Sequence, residues 1–273
     1  MPYIVVDGQR LFYQAHRDGG ERESPPLLLI HGAGGTYLYW PPQLRHLPGV
    51  DVYALDLPGH GRSEGPGRRS IAAYREVVHA FSNALGLGRF VLGGHSMGGA
   101  IAQDYALAYP DRLAGLILVA SGARLRVAPA ILNGLRDDFT ATVRLIVDWA
   151  YGASPSERMR RLYAERLLDN DPLVLQGDYA ACNDFDLMDR VQRIAAPTLI
   201  ICGEADRLTP PKYSQYLSQQ IPGARLHLLS GAGHMLMLEQ AERVTEIIAD
   251  FLAHLSVGQE PAEQTAAKPP ITR

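Results

Sequence analysis

Ser96 sits in the run Gly93-Gly94-His95-Ser96-Met97-Gly98-Gly99, between a strand-like apolar stretch, residues 90–92, and a helix-like one, residues 100–109. A serine at the tip of so sharp a turn takes a backbone with positive φ, which is costly for any residue with a Cβ. Gly94 and Gly98, two positions to either side, are required because larger side chains would collide across the turn. The hydroxyl then projects outward. The first amides of the following helix point at the same spot, so the Met97 N–H can donate to an oxyanion forming there. The five-residue pattern alone also fits an ordinary loop serine; the flanking strand and helix are what favour a nucleophile.

A serine hydroxyl is a poor nucleophile at neutral pH and needs a base within hydrogen-bond reach, itself oriented by a third group. The chain has nine histidines, so placement must choose. His234, in Gly231-Ala232-Gly233-His234, follows the last predicted strand on a flexible loop and is the preferred base. His227 falls inside that strand, His60 in a turn, and His16, His46, His79 and His254 on polar surface or helix segments. His95 flanks the nucleophile but points elsewhere, which reads as packing or a structural hydrogen bond. The orienting acid is expected at another strand end, beyond the nucleophile in sequence. Gly203-Glu204-Ala205-Asp206 offers two carboxylates, and Asp206 lies further out on the loop. The strand at 116–119 ends in Ala120-Ser121-Gly122 and offers no acid, so Asp206 is chosen. A second oxyanion donor is expected from His31-Gly32-Ala33-Gly34-Gly35, a turn whose backbone can approach a substrate closely, with the Ala33 N–H beside that of Met97.

The elements that must carry these residues are legible as alternating runs. Residues 3–6 and 11–15 read as a hairpin joined across Asp7-Gly8. Strands follow at 27–30, 52–55, 90–92, 116–119, 199–202 and 225–229. Their apolarity is continuous rather than alternating, which predicts burial on both faces, as in a parallel sheet. Amphipathic segments at 39–47, 71–85, 100–109, 211–220 and 241–255 predict helices wrapping both sides. From 123 to 194 the alternation stops, and helices are predicted at 128–149, 154–169 and 174–184. An insertion there sits above the strands' carboxyl ends, where ligands bind, and reads as a helical cap. The division expected is a core of residues 1–122 and 195–255, a cap of 123–194, and a loose tail at 256–273.

Composition sets the outer limits. The 273 residues, 47% hydrophobic and 20% charged, describe an ordinary globular chain, with a net charge of −3 and no basic footprint for nucleic acid. Arginines outnumber lysines by 24 to 2, a bias that base composition or heat adaptation would each produce. No charged leader with an apolar stretch opens the chain and no apolar run reaches membrane-spanning length, so a cytoplasmic location is expected. Cys182 and Cys202 read as packing residues, and no cluster has metal-ligand spacing.

The order Ser96, Asp206, His234, with the turn at His31, the run Asp56-Leu57-Pro58-Gly59-His60-Gly61-Arg62-Ser63 and the glycines around Ser96, resembles the α/β-hydrolase superfamily across residues 3–255. More narrowly the chain is similar to cap-bearing carboxylesterases, cofactor-free haloperoxidase-like hydrolases and C–C bond hydrolases. The resemblance implies an α/β fold with a mostly parallel eight-stranded sheet, a cap after the sixth strand, and a Ser-His-Asp site working through an acyl-enzyme without a cofactor. Haloalkane dehalogenases and epoxide hydrolases of the superfamily have aspartate where this chain has Ser96, and are disfavoured. A small or medium carboxylic ester is the expected substrate. A C–C hydrolase of dienoic acids is the alternative, with a non-catalytic ligand-binding role behind it. Tyr39, Trp40, Phe139, Trp149 and Met235 are candidates for an apolar pocket, each with core packing as the competing reading. Arg124 and Arg126, at the entry to the cap, are candidates to meet a substrate carboxylate, against surface solvation. The partner expected is a small molecule; the oligomeric state is not legible.

Overall fold

The computed structural model describes residues 3–17, 24–152 and 156–255. Residues 18–23 thus fall outside the described residues, as does the whole of the tail expected at 256–273. Strands β1 (Tyr3–Val6) and β2 (Gln9–His16) form the hairpin. Asp7 and Gly8 turn it with φ of 48° and 78°, the left-handed pair that a two-residue turn needs to match the strand twist. Then come β3 (Leu27–Ile30), β4 (Val52–Leu55), β5 (Phe90–His95), β6 (Leu113–Val119), β7 (Thr198–Gly203) and β8 (Arg225–Leu229). All eight make one sheet in the order β1-β2-β4-β3-β5-β6-β7-β8. It is antiparallel through β1, β2 and β4 and parallel from β4 onward.

The continuous apolar strands are explained by two cores, one on each side of the sheet. In β3, Leu28 and Ile30 enter one cluster while Leu27 and Leu29 enter the other, and every residue of the strand is buried. Helices α2 (Ile71–Ala84), α3 (Met97–Ala108) and α8 (Pro211–Gln220) close the first face, through Val78, Ile101 and Leu217. The second is closed by α1 (Pro42–Arg45) and α10 (Ala241–Ala253), through Leu44, Ile248 and Phe251. Between β6 and β7 lie α4 (Pro129–Asp137), α5 (Phe139–Ala150), α6 (Glu157–Leu168) and α7 (Pro172–Asp184).

Two expected helices are interrupted, each for a local reason. The span 39–47 resolves into a 3-10 turn at Tyr37–Tyr39 and the short α1, because Pro41 is held extended (φ −66°, ψ 153°) and prolines at 41 and 42 bring no N–H to a helix. The span 128–149 breaks at Asp138, whose backbone leaves the helical region and whose carboxylate accepts the Ala141 N–H at 3.0 Å, capping α5. A four-residue helix, α9 (Leu236–Glu239), was not expected.

Candidate functional site

Ser96 stands between the end of β5 and the start of α3 with φ 53° and ψ −114°, a strained backbone for a residue with a side chain. Its neighbours must be glycine. A Cβ on Gly94 would lie 2.1 Å from the Gly98 carbonyl oxygen, and one on Gly98 2.3 Å from that of Ile30. The strain is held by main-chain bonds: Ser96 N–H donates to the Val119 carbonyl at 2.9 Å, and the Ser96 carbonyl accepts from Gly99 N–H and from the Ser121 hydroxyl, each at 2.9 Å. Met97 opens α3, so its amide belongs to the first turn, where N–H groups have no partner within the helix. Its side chain is buried in the core.

Asp206 and His234 come from the loops after β7 and β8. Asp206 Oδ1 accepts the N–H groups of Leu208 and Thr209 at 2.9 and 2.8 Å, which fixes the carboxylate on its own turn. Its Oδ2 lies 2.9 Å from His234 Nδ1, with both residues buried. A carboxylate opposite Nδ1 places the proton on that nitrogen and leaves the Nε2 lone pair free to act as a base. The Thr209 hydroxyl sits 2.8 Å from Asp206 Oδ2 and 3.1 Å from Nδ1, so both hydrogen bonds of the ring run through Nδ1. His234 is held from behind by its N–H on the Ala150 carbonyl (2.8 Å) and by His95 Nε2, which donates to the His234 carbonyl at 3.0 Å. Burial holds the His95 ring well below the usual histidine range, so it stays neutral. Glu239 takes the amides of Gly152 and Gly233 at 2.9 and 3.0 Å, joining the end of α5 to the histidine loop.

In the turn after β3, the Gly32 carbonyl accepts from His31 Nδ1 at 2.8 Å and from Gly35 N–H at 3.0 Å. His31 Nε2 accepts the Leu57 N–H at 3.0 Å, so the ring carries one proton, on Nδ1. In a trans peptide the carbonyl and the next N–H point opposite ways, so fixing Gly32 C=O fixes the direction of the Ala33 N–H.

Ala33, Ser96 and His234 line one cavity. Among the hydrogen bonds of the described residues, none joins the Ser96 hydroxyl to the His234 ring. Ile131 of α4, Trp149 of α5, Tyr163 of α6, and Tyr179 and Cys182 of α7 also line the cavity. Of the five pocket candidates, the structure brings Tyr39 and Trp149 to the cavity. Trp40 and Met235 lie fully buried in the core, and Phe139 packs against it at the far end of α5. Those three are absent from the cavity lining, their side chains being taken up by packing in the second core. Arg126 lines the cavity; Arg124 does not, lying instead 3.6 Å from Asp186. Arg207 joins Arg126 at the wall, its guanidinium 5.5 Å from the Trp149 ring centre. Among the described residues neither has a carboxylate partner, and no aspartate or glutamate lines the cavity.

Sequence reasoning missed Thr209, Arg207 and the tyrosines of α6 and α7. Asp206-x-x-Thr209 is a local turn signal that points to the first; the others face the site only through long-range packing. Among the described residues no three His, Cys, Asp or Glu side chains converge as metal ligands, and no helix is long and apolar enough to cross a membrane. Cys182 and Cys202 are free and buried, with burial raising both thiols, Cys202 to about 12.

Comparison with known proteins agrees with this architecture. A 2-hydroxy-6-oxononadienedioate/2-hydroxy-6-oxononatrienedioate hydrolase of Burkholderia vietnamiensis is 30% identical, over 91% of this chain and 93% of the relative. A pimeloyl-[acyl-carrier protein] methyl ester esterase of Yersinia enterocolitica is 29% identical, over 82% and 92%. The solved structure of a thermophilic esterase superposes with a TM-score of 0.82 at 34% identity, covering 94% of this chain and 98% of that one. A model of the alpha/beta hydrolase fold matches residues 25–241, and the chain belongs to that family.

Proposed function

We propose that this protein is a serine hydrolase that cleaves a small or medium carboxylic ester. The observation that carries the reading is the pairing of His234 Nδ1 with Asp206 Oδ2 at 2.9 Å on the wall of the cavity that the strained Ser96 also lines. In this mechanism a turn about χ1 brings the Ser96 hydroxyl onto His234 Nε2 as substrate binds, a contact that often tightens only in the complex. The ring takes the hydroxyl proton while Oγ attacks the ester carbonyl. The N–H groups of Ala33 and Met97 hold the resulting oxyanion, each donor contributing about 2.7–4 kcal/mol. His234 then returns the proton to the leaving alcohol, and Asp206 stabilises the imidazolium in between. Water, deprotonated by the same ring, releases the acid from the acyl-enzyme. Helices α4 to α7 act as the cap, each contributing to the cavity wall.

A second reading is C–C bond cleavage of a dienoic acid. Arg126 and Arg207 favour it, because two guanidiniums on the cavity wall with no carboxylate partner among the described residues suit an anionic substrate. Both readings are tested together by turnover of a panel of nitrophenyl esters and ring-fission dienoic acids by the wild type and Ser96→Ala. The ester reading expects nitrophenyl ester hydrolysis that falls at least about 10⁴-fold in the variant. Turnover confined to the dienoic acids promotes the second reading, and equal rates in both proteins remove the nucleophile.

A further inference from the structure

Asp178 lies on α7, fully buried, and ties together four parts of the molecule. Its Oδ2 accepts the Gly34 N–H of the turn after β3 at 2.9 Å and faces His60 Nε2, from the loop after β4, at 2.7 Å. Its Oδ1 accepts the Tyr74 hydroxyl of α2 at 2.6 Å. The other nitrogen of His60, Nδ1, faces the Pro58 carbonyl at 3.0 Å. The Pro58 carbonyl can only accept, so Nδ1 donates to it; with Asp178 as a carboxylate Nε2 donates as well, and His60 is an imidazolium. The groups around it fit that charge. Asp178 and Asp56 both attract it, the Tyr74 ring is 6.2 Å away, and the neighbouring His31, 4.9 Å between ring centres, is neutral. Asp178 holds the His60 proton to higher pH than an ordinary histidine, against the opposing effect of burial. Neither residue lines the cavity.

We propose that Asp178 and His60 form a buried charged clamp through which α7 positions the oxyanion turn. Asp178 holds the Gly34 amide, one residue beyond Ala33, and His60 holds Asp178. Together with His31 on the Gly32 carbonyl, the clamp leaves the Ala33 N–H one orientation. The two are positioning residues, and the proposal rests on the reading of Ala33 as an oxyanion donor. It makes the cap part of the catalytic apparatus: α7 moves away from the core only by releasing the turn.

The test uses the full chain with Asp178→Asn and His60→Gln, both close in shape to the originals, and reads exchange as well as activity. In Asp178→Asn, amide hydrogen exchange across residues 31–36 is expected to accelerate while exchange in β5 and β6 stays unchanged. With a nitrophenyl ester, kcat is expected to fall at least about tenfold with KM within about twofold, since a misaligned donor costs less than the roughly 10²- to 10³-fold of a missing one. The affinity for a trifluoromethyl ketone, whose adduct with a serine is an oxyanion, is expected to fall by the same factor as kcat/KM. The charged ring is lost as pH rises, so wild-type kcat is expected to decline on the alkaline side as His60 gives up its proton. His60→Gln, which has no such proton, is expected to lose that decline. Unchanged exchange at 31–36 in Asp178→Asn overturns the clamp whatever the activity. So does Ser96-dependent turnover with wild-type kcat and ketone affinity. Absence of Ser96-dependent turnover in the wild type overturns instead the reading on which the clamp rests, and leaves the exchange result to decide the clamp.

Discussion

Asp206 divides its two oxygens between two tasks. Oδ1 is anchored to the amides of Leu208 and Thr209, and Oδ2 is turned toward the imidazole and the Thr209 hydroxyl. Asp206→Asn keeps the size and the amide contacts but can offer an N–H where an acceptor stood, which favours the wrong tautomer of His234. Ester turnover is therefore expected to drop about 10⁴-fold with little change in melting temperature, as measured by steady-state kinetics and circular dichroism on the same preparation. Ser96, Asp206 and His234 could be singled out in the sequence because each follows a strand and sits in a short glycine-bearing turn, a context that few residues of a chain share. The pocket was read less well. Trp149 and Phe139 belong to the same helix and look alike in sequence, yet only the first reaches the cavity; which face of α5 meets the site is decided by its packing against α6 and the histidine loop. Asp178 and His60 gave no local signal, because they stand 118 residues apart.

At the scale of elements, the junction of β5 and α3 is the tightest piece of the fold. The start of α3 passes so close to the end of β3 that Gly98 has backbone oxygens of Ile30 and His31 at 2.3 and 2.6 Å from where a Cβ would sit. Neither neighbour can move without shifting the sheet. Gly98→Ala is expected to lower the unfolding free energy by about 3 kcal/mol or more, near the upper end of single-substitution effects, as read from the urea midpoint at constant slope. The order of elements was nearly complete in the sequence because strands buried on both faces leave unbroken apolar runs. What escaped were interruptions: Pro41 and Pro42 stop a helix that periodicity continues through, and Asp138 ends one helix while capping the next. A helix as short as α9 has too few residues to show a period. The segment 123–194 stood out in the sequence by the absence of strands and by its own predicted helices, but how those helices meet the core depends on long-range contacts.

Across the whole molecule, the helices between β6 and β7 are tied to the sheet at two places that matter for chemistry. The last carbonyl of α5 takes the N–H groups of His234 and Met235, and Asp178 of α7 takes that of Gly34. The cavity between these ties carries Arg126 and Arg207 although the chain as a whole has a net charge of −3, so its local field opposes the global one. The two tryptophans divide along the same boundary. Trp40 is sealed in the core, and Trp149 is half-buried at the cavity wall beside Arg207. The protein therefore carries a built-in optical reporter with its own internal reference. Filling the cavity with a product acid is expected to change only the red-shifted, water-facing part of the emission spectrum, and Trp149→Phe to abolish the change while the blue component from Trp40 persists.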